Sequence, residues 1–233
     1  MRKRFLLLIL GLIILSRERT NGQNGSADKD IRFNQGLANE LKDMAIIDQI
    51  AASFPSGEYV NWNKERWNKF TDSIFNRNKE RLKEIFTEFG YSGYDLVGKE
   101  GETDFWLMVQ HCDTDTIFQR DVLDKLTVET KKKNADPRHV GLLTDRLRIN
   151  TGRKQTYGTQ VRYNNFGQAF PKSLADSSNV NKRREEIGLE PIEQYLNMMT
   201  IIYFQGNKEQ LKARGIIEPK LFYKTDFIIK MEK

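Results

Sequence analysis

Residues 62–89 read WNKERWNKFTDSIFNRNKERLKEIFTEF and carry the strongest structural signal in the chain. Apolar side chains recur there at steps of three and four residues, and lysine and glutamate occupy many positions between them. These apolar residues are Trp67, Phe70, Ile74, Leu82, Ile85 and Phe86. Because this spacing places them on one face of a helix, the stretch predicts one long amphipathic helix in a mainly α protein.

Other periodic segments lie on both sides of this helix and predict at least four more. Asp115 suits a helix N-cap, and Asp136 followed by Pro137 suits the start of another helix. Gly188 and Pro191 predict a break within the last helical stretch. The predicted helical ranges are 31–53, 102–113, 116–133, 136–150 and 180–204.

Three stretches lack a helical period. Residues 90–101 contain four glycines, which favours a loop. Residues 157–166 predict a short strand or an extended loop, and residues 220–231 are strand-like because of their Phe, Tyr and Ile content. The predicted fold is therefore a single, mainly α domain of at least five helices, with a small β element near residues 157–166 and the C-terminus.

The first 22 residues have the character of a targeting segment. A basic MRKR start precedes an apolar run of eleven residues from Phe5 to Leu15, which suits a signal peptide and is short for a membrane span. Thr20 and Gly22 permit cleavage before Gln23, whereas the charged SRER after the run leaves an uncleaved anchor open. The predicted segments are a signal peptide or anchor over 1–22, a linker over 23–30, the helical domain over 31–204 and a C-terminal extension packed on it over 205–233.

The charge balance limits the classes of partner. The formal charge is +6, but removing residues 1–22 leaves 33 basic and 31 acidic residues. A nearly balanced chain argues against a nucleic-acid partner. The targeting segment predicts export to the periplasm or cell exterior, and the expected partner is a small polar molecule or a peptide. Membrane contact is expected only through the N-terminal segment, if it stays uncleaved.

Cofactor and cysteine motifs are absent from the sequence. Cys112 is the only cysteine, which excludes an intramolecular disulfide and a cysteine-rich zinc site. The glycines of residues 90–101 are not followed by the Lys-Ser/Thr pair of a phosphate-binding loop. There is also no G-x-S-x-G and no H-E-x-x-H pattern. We therefore predict no cofactor and no metal.

Residues 106–115, WLMVQHCDTD, form the main candidate site. The functional interpretation makes His111 a general acid or base that Asp113 orients. A metal site is a second interpretation, although His139 would have to come from another helix. The third interpretation is structural: Asp113 and Asp115 cap two helices, and His111 bridges them.

Other residues within this stretch and after it are candidates for binding a substrate. Trp106 and Gln110 share one helical face, which is more often core than site, but a buried glutamine amide needs partners. Arg146 could bind an anion or form an ion pair with another helix. The predicted substrate-binding residues are Trp106, Gln110, Asp145, Arg146, Tyr157, Thr159 and Gln160.

Several blocks of the sequence resemble a bacterial family defined by a domain of unknown function. The match spans roughly residues 35–197 and implies a single exported domain without implying an activity. The blocks are Asp48-Gln49; Gly98, Glu100 and Gly101; Trp106, Leu107, Gln110, His111, Asp113, Asp115, Phe118 and Gln119; Leu143, Asp145 and Arg146; Tyr157 to Gln160; and Arg184, Gly188, Leu189, Pro191 and Tyr195.

Three hypotheses follow for function. In the first, the protein is a hydrolase-like enzyme in which His111 is the acid or base and Asp113 orients it. In the second, the same residues bind a ligand or peptide without turnover. In the third, they form a buried polar network that fixes the packing of the helices.

Overall fold

A computed structural model describes residues 33–222 of the chain. Within that range the fold is mainly α, as predicted, with eight α-helices and one two-stranded antiparallel sheet. The described chain forms two compact units, and the boundary in the sequence falls between Asp136 and Pro137. The elements are α1 Gln35–Ala52, α2 Lys64–Phe89, α3 Tyr94–Val109, α4 Thr116–Lys131, α5 Pro137–Asn150, β1 Val161–Tyr163, β2 Ala169–Pro171, α6 Val180–Glu186, α7 Ile192–Gly206 and α8 Lys208–Lys212.

The first unit is built on α1, α2 and α3, which pack against one another. The long helix predicted from residues 62–89 is α2, and it begins after Asn63, whose side chain accepts a hydrogen bond from the Arg66 amide. Ile74, Leu82 and Ile85 from the predicted apolar face are buried. Burial of this face accounts for the packing of a helix whose other positions are mostly charged.

The loop predicted for residues 90–101 is wrong, because α3 already begins at Tyr94. Of the four glycines, Gly90 and Gly93 lie between α2 and α3, and the other two lie inside α3. Gly98 has a φ of 73° and kinks the helix, a conformation that favours glycine. A Cβ on Gly101 would lie 2.8 Å from Val97 Cβ. Two of the four glycines, Gly98 and Gly101, therefore lie inside a kinked, tightly packed helix.

The end of α3 and the start of α4 frame the candidate site. The helical conformation of α3 ends at Val109, earlier than the predicted end at residue 113. The predicted N-cap at Asp115 is confirmed, since its side chain accepts a hydrogen bond from the Phe118 amide at 3.0 Å. His111 therefore lies in the short connection between the two helices.

The second unit places α7 against the small sheet. Strands β1 and β2 pair antiparallel, with Val161 opposite Pro171 and Tyr163 opposite Ala169. The predicted short strand within residues 157–166 is therefore confirmed as β1. The predicted break in the last helical stretch is also confirmed, since α6 ends at Glu186 and α7 begins after Pro191.

Some predictions concern residues outside the described range. The targeting segment of residues 1–22 and the linker of residues 23–30 lie there, and so does most of the strand predicted for residues 220–231. Within the predicted C-terminal extension, the structure describes helix α8. No helix between residues 33 and 222 has both the length and the apolar character that a membrane crossing requires.

Candidate functional site

The closest polar contact of the candidate site joins His111 to Asp48. Nδ1 of His111 lies 2.5 Å from Oδ2 of Asp48, which projects from α1. The His111 side chain is 2% exposed and the Asp48 side chain is fully buried. Water therefore hardly competes for this contact, and a hydrogen bond to a charged group is strong in such a setting.

Two amide side chains hold the Asp48 carboxylate in place. Asn78 on α2 donates from Nδ2 to Oδ1 of Asp48 at 3.2 Å, so the two carboxylate oxygens have different partners. Gln49 donates to Oδ2 at 3.2 Å. Asp48 is thus fixed by groups from two helices, and its contact with His111 connects them to the end of α3. We call Asp48, Asn78 and His111 the dyad cluster.

An aromatic ring lies against the imidazole. The Phe75 ring lies with its centroid 4.7 Å from that of His111, at an interplanar angle of 30°.

Burial raises the pKa of the neighbouring Cys112 thiol, and the nearby carboxylates of Asp48 and Asp113 raise it further. The thiol is therefore protonated near neutral pH and is a poor nucleophile, so Cys112 serves as a small buried apolar residue.

The position of Asp48 determines what His111 can do chemically. An ionised carboxylate only accepts hydrogen bonds, so Asp48 requires a proton on Nδ1 of His111. In the neutral ring the second nitrogen, Nε2, then carries the lone pair. This is the arrangement in which a buried aspartate prepares a histidine to accept a proton.

Asp113 and Asp115, which follow His111 in the sequence, have different surroundings. Asp113 is exposed. Asp115 caps α4 and lies 3.0 Å from the ammonium group of Lys83. The hydrogen bond from the Phe118 amide, together with Lys83, lowers the pKa of Asp115 despite partial burial. The structure shows a contact between His111 and Asp48, and a catalytic role for Asp113 stays a prediction.

Trp106 and Gln110 are both buried, as expected for a face that packs into the core. Gln110 retains one unusual feature, because its Nε2 has no hydrogen-bond partner within the described residues. An unpaired buried donor is uncommon in a folded protein. Trp106 and Gln110 are thus core positions, and Gln110 keeps a donor that a bound acceptor could satisfy.

Asp48 is the residue that the sequence analysis did not select for the site. Its isolated position on α1 carries no chemical motif, and its partner His111 is 63 positions away. The one available signal was the Asp48-Gln49 pair among the blocks that resemble the bacterial family.

The second cluster lies in the other unit and centres on Asp145 of α5. Its fully buried carboxylate accepts hydrogen bonds from the Thr156 amide at 2.6 Å and the Thr159 amide at 2.9 Å. The Tyr157 amide donates to both oxygens at 3.1 Å, and the Thr159 hydroxyl donates at 3.2 Å. Burial raises the pKa of Asp145, although these donors act in the opposite direction.

Two consecutive arginines hold the carbonyl groups of the same loop. Arg183 donates from Nε to the Thr156 carbonyl at 2.9 Å, and Arg184 donates from Nη1 to the Tyr157 carbonyl at 2.7 Å. The Tyr195 hydroxyl donates to the Thr159 carbonyl at 2.6 Å. Amides are therefore bound by a carboxylate and carbonyls by guanidinium groups, an arrangement that we call the loop clamp.

The remaining polar residues of this loop also have internal partners. Gln155 accepts from the Gln160 amide at 2.6 Å and donates to the Gln160 carbonyl at 2.8 Å. Arg146 is buried. Tyr157 is half-buried and, unlike the fully buried Thr159, keeps part of its surface exposed.

The structure thus brings Asp145, Tyr157 and Thr159 together and links Gln160 to the same loop through Gln155. His111 belongs to the other unit. A single site that contains both clusters stays a prediction. Among residues 33–222, no three His, Cys, Asp or Glu side chains are grouped so that they could hold a metal ion.

Comparison with known proteins gives one family. A comparison with curated proteins gives no match, and a comparison with solved structures gives none either. The model of one protein family matches residues 34–208, which include both the dyad cluster and the loop clamp. The chain therefore belongs to the family described as "Family of unknown function (DUF6624)".

Proposed function

We propose that this protein is a hydrolase-like enzyme in which Asp48 and His111 form the acid–base pair. The observation that carries the proposal is the 2.5 Å contact between Oδ2 of Asp48 and Nδ1 of His111. With Nδ1 protonated toward Asp48, Nε2 of the neutral ring is the basic nitrogen. The proposed substrate is a small polar or anionic molecule.

The reaction step follows from this protonation state. Nε2 of His111 takes a proton from water as the water oxygen attacks the electrophilic centre of the substrate. The same nitrogen then returns the proton to the leaving group, while the Asp48 carboxylate stabilises the imidazolium that forms between the two steps. The unpaired amide donor of Gln110 supports a polar substrate, because an acceptor on that substrate would satisfy it.

A structural role for the dyad cluster is the main alternative, and burial of both side chains favours it. A ligand-binding role without turnover is the other, and the unpaired Gln110 donor is compatible with it. The alternatives predict different effects of the His111→Gln substitution on activity. Glutamine can still donate a hydrogen bond to Asp48, but it cannot accept and return a proton near neutral pH.

The test compares wild type, His111→Gln and Asp48→Asn on chromogenic esters, phosphate esters, glycosides and amides. We expect wild type to hydrolyse at least one class and His111→Gln to lower kcat by about 100-fold or more. Asp121→Asn, on the exposed face of α4, is the matched control for loss of a carboxylate and should retain full activity. Full activity in His111→Gln would refute the proposal, and saturable binding without hydrolysis would favour the binding role.

A further inference from the structure

The balanced charge of the chain conceals a basic stretch in the second unit. Residues 146–175 contain six arginines and lysines and no aspartate or glutamate. Two of these basic residues belong to the β1–β2 region: Arg162 lies in β1, and Lys172 directly follows β2. The nearly balanced charge of the whole chain therefore does not exclude a local surface that attracts anions.

Aromatic and basic side chains meet at two places on and beside this hairpin. Arg162 lies with its guanidinium carbon 5.7 Å from the Phe170 ring centroid, and Phe222 packs edge-on against Phe170 at 5.3 Å. The Lys220 ammonium lies 4.9 Å from the Phe166 ring centroid. Arg214 donates to the Asn165 carbonyl at 2.6 Å. We define the hairpin patch as Arg162, Phe166, Phe170, Arg214, Lys220 and Phe222.

The hairpin patch combines exposed apolar area with unpaired positive charge. Phe166 is 53% exposed and Phe222 is 36% exposed, although both are large apolar residues. Arg162, Arg214 and Lys220 are exposed, and within residues 33–222 no carboxylate forms an ion pair with any of them.

We propose that the hairpin patch docks on an anionic phospholipid surface. Exposed aromatic rings beside lysine and arginine are suited to the boundary between headgroups and acyl chains. Each basic side chain strengthens binding to an anionic membrane, because the headgroups give its surface a negative potential. If the predicted segment over residues 1–22 stays as an uncleaved anchor, it would hold the protein at such a surface.

Single-stranded nucleic acid is the competing anionic partner, and two features make it the weaker fit. Bases bind by stacking on open aromatic faces, but Lys220 lies over one face of Phe166 and Arg162 over one face of Phe170. The same C-terminal segment also exposes Ile217, at 77%, and an aliphatic side chain offers no stacking surface. Glu218 is the one acidic residue between Arg214 and Phe222 and does not reverse the positive sign of the patch.

The test measures vesicle binding by the protein as cells produce it, with its N-terminus identified by mass spectrometry. Vesicles of phosphatidylcholine alone are compared with vesicles that contain roughly one-third phosphatidylglycerol. We expect tighter binding to the anionic vesicles and a loss of this difference at high salt. Arg162→Gln with Lys220→Gln should weaken anionic binding about 30-fold, from two lost charges. Phe166→Ser should weaken binding to both kinds of vesicle.

The matched control removes two charges elsewhere. Lys125→Gln with Lys131→Gln, on exposed positions of α4, should leave anionic binding within about twofold of wild type. An equal loss in this control would overturn the proposal, as would wild-type binding that does not depend on phosphatidylglycerol. Far-ultraviolet circular dichroism and urea unfolding confirm that each variant is folded.

Other occupants of the hairpin patch would give distinct results. Tighter binding to labelled single-stranded DNA than to anionic vesicles would assign the patch to nucleic acid. A dimer in sedimentation that dissociates in Phe166→Ser, without vesicle binding, would assign it to a second copy. If only a chain truncated after Phe222 bound vesicles, residues 223–233 would be the occupant of the hairpin patch in the full chain. Each of these results overturns the lipid proposal.

Discussion

Nδ1 of His111 lies 2.5 Å from Oδ2 of Asp48, although 63 positions of sequence separate the two residues. Asn78 donates to the other carboxylate oxygen, so residues of α1 and α2 and the end of α3 meet in this cluster. The contact gives the imidazole one defined orientation and one basic nitrogen. It is the basis for the proposed acid–base role of His111.

Asp145→Ala should destabilise the second unit strongly. The change removes the acceptor of the Thr156, Tyr157 and Thr159 amides, and each stranded buried donor costs about 1–3 kcal/mol. We expect the free energy of unfolding in urea to fall by about 3 kcal/mol or more, with fast hydrogen exchange at these amides. Asp121→Ala, at an exposed position, should change it by less than about 0.5 kcal/mol. A loss below about 1 kcal/mol for Asp145→Ala would show that the loop clamp contributes little.

Gly158→Ala should cost more stability than Gly152→Ala. Both glycines have a φ of 74°, so alanine brings the same backbone strain of about 1–2 kcal/mol at each position. A Cβ at position 158 would also lie 2.6 Å from Cδ1 of Ile192, whereas none of the neighbouring atoms comes within 4 Å at position 152. The difference between the two free energies of unfolding measures this clash. Equal losses would mean that Ile192 moves aside without cost.

Asp104→Asn should stabilise the protein in a pH-dependent way. Burial, reinforced by Glu100 and opposed by Lys42, raises the pKa of Asp104 from 3.8 to about 6. The folded chain therefore binds this proton more tightly than the unfolded chain, and stability is lost as the pH rises from 3.8 to about 6. Because Asp104 is partly exposed, we expect the asparagine variant to gain about 1 kcal/mol above this range.

The measurement is urea unfolding of wild type and Asp104→Asn across this pH range. The gain should be absent at the acidic end and complete at neutral pH. Asp121→Asn, on the exposed face of α4, controls for the loss of one negative charge. A gain that is the same at every pH would contradict ionisation of Asp104 as its cause.

Much of the helical fold could be predicted from local sequence patterns. The period of apolar residues in α2 and the carboxylate at Asp115 act over one or two turns, and the structure confirms both. The prediction for the α3 segment was wrong because glycine favours a loop only where neither a kink nor close packing requires a residue without a side chain. Gly98 allows a kink and Gly101 allows close packing, and neither requirement is visible in the local sequence.

The candidate sites depend more strongly on contacts between distant segments. His111 and Asp145 were selected from the sequence, but their partners were not, because Asp48 and the loop amides are joined to them by tertiary structure. Backbone amides also carry no residue signature that a sequence could reveal. This is why Asp145 was expected to bind a substrate, whereas in the structure its carboxylate is engaged by residues 156–159.

The most direct test of the central claim is the position of the proton on His111. Two-bond proton–nitrogen NMR spectra of protein labelled at histidine report each ring nitrogen separately, and the chain has only two histidines. His139→Gln removes the other set of signals and completes the assignment. For the neutral ring of His111 we predict a proton on Nδ1 and none on Nε2, and His111→Gln should remove these signals. A neutral ring with its proton on Nε2 would contradict the assignment of His111 as a base oriented by Asp48.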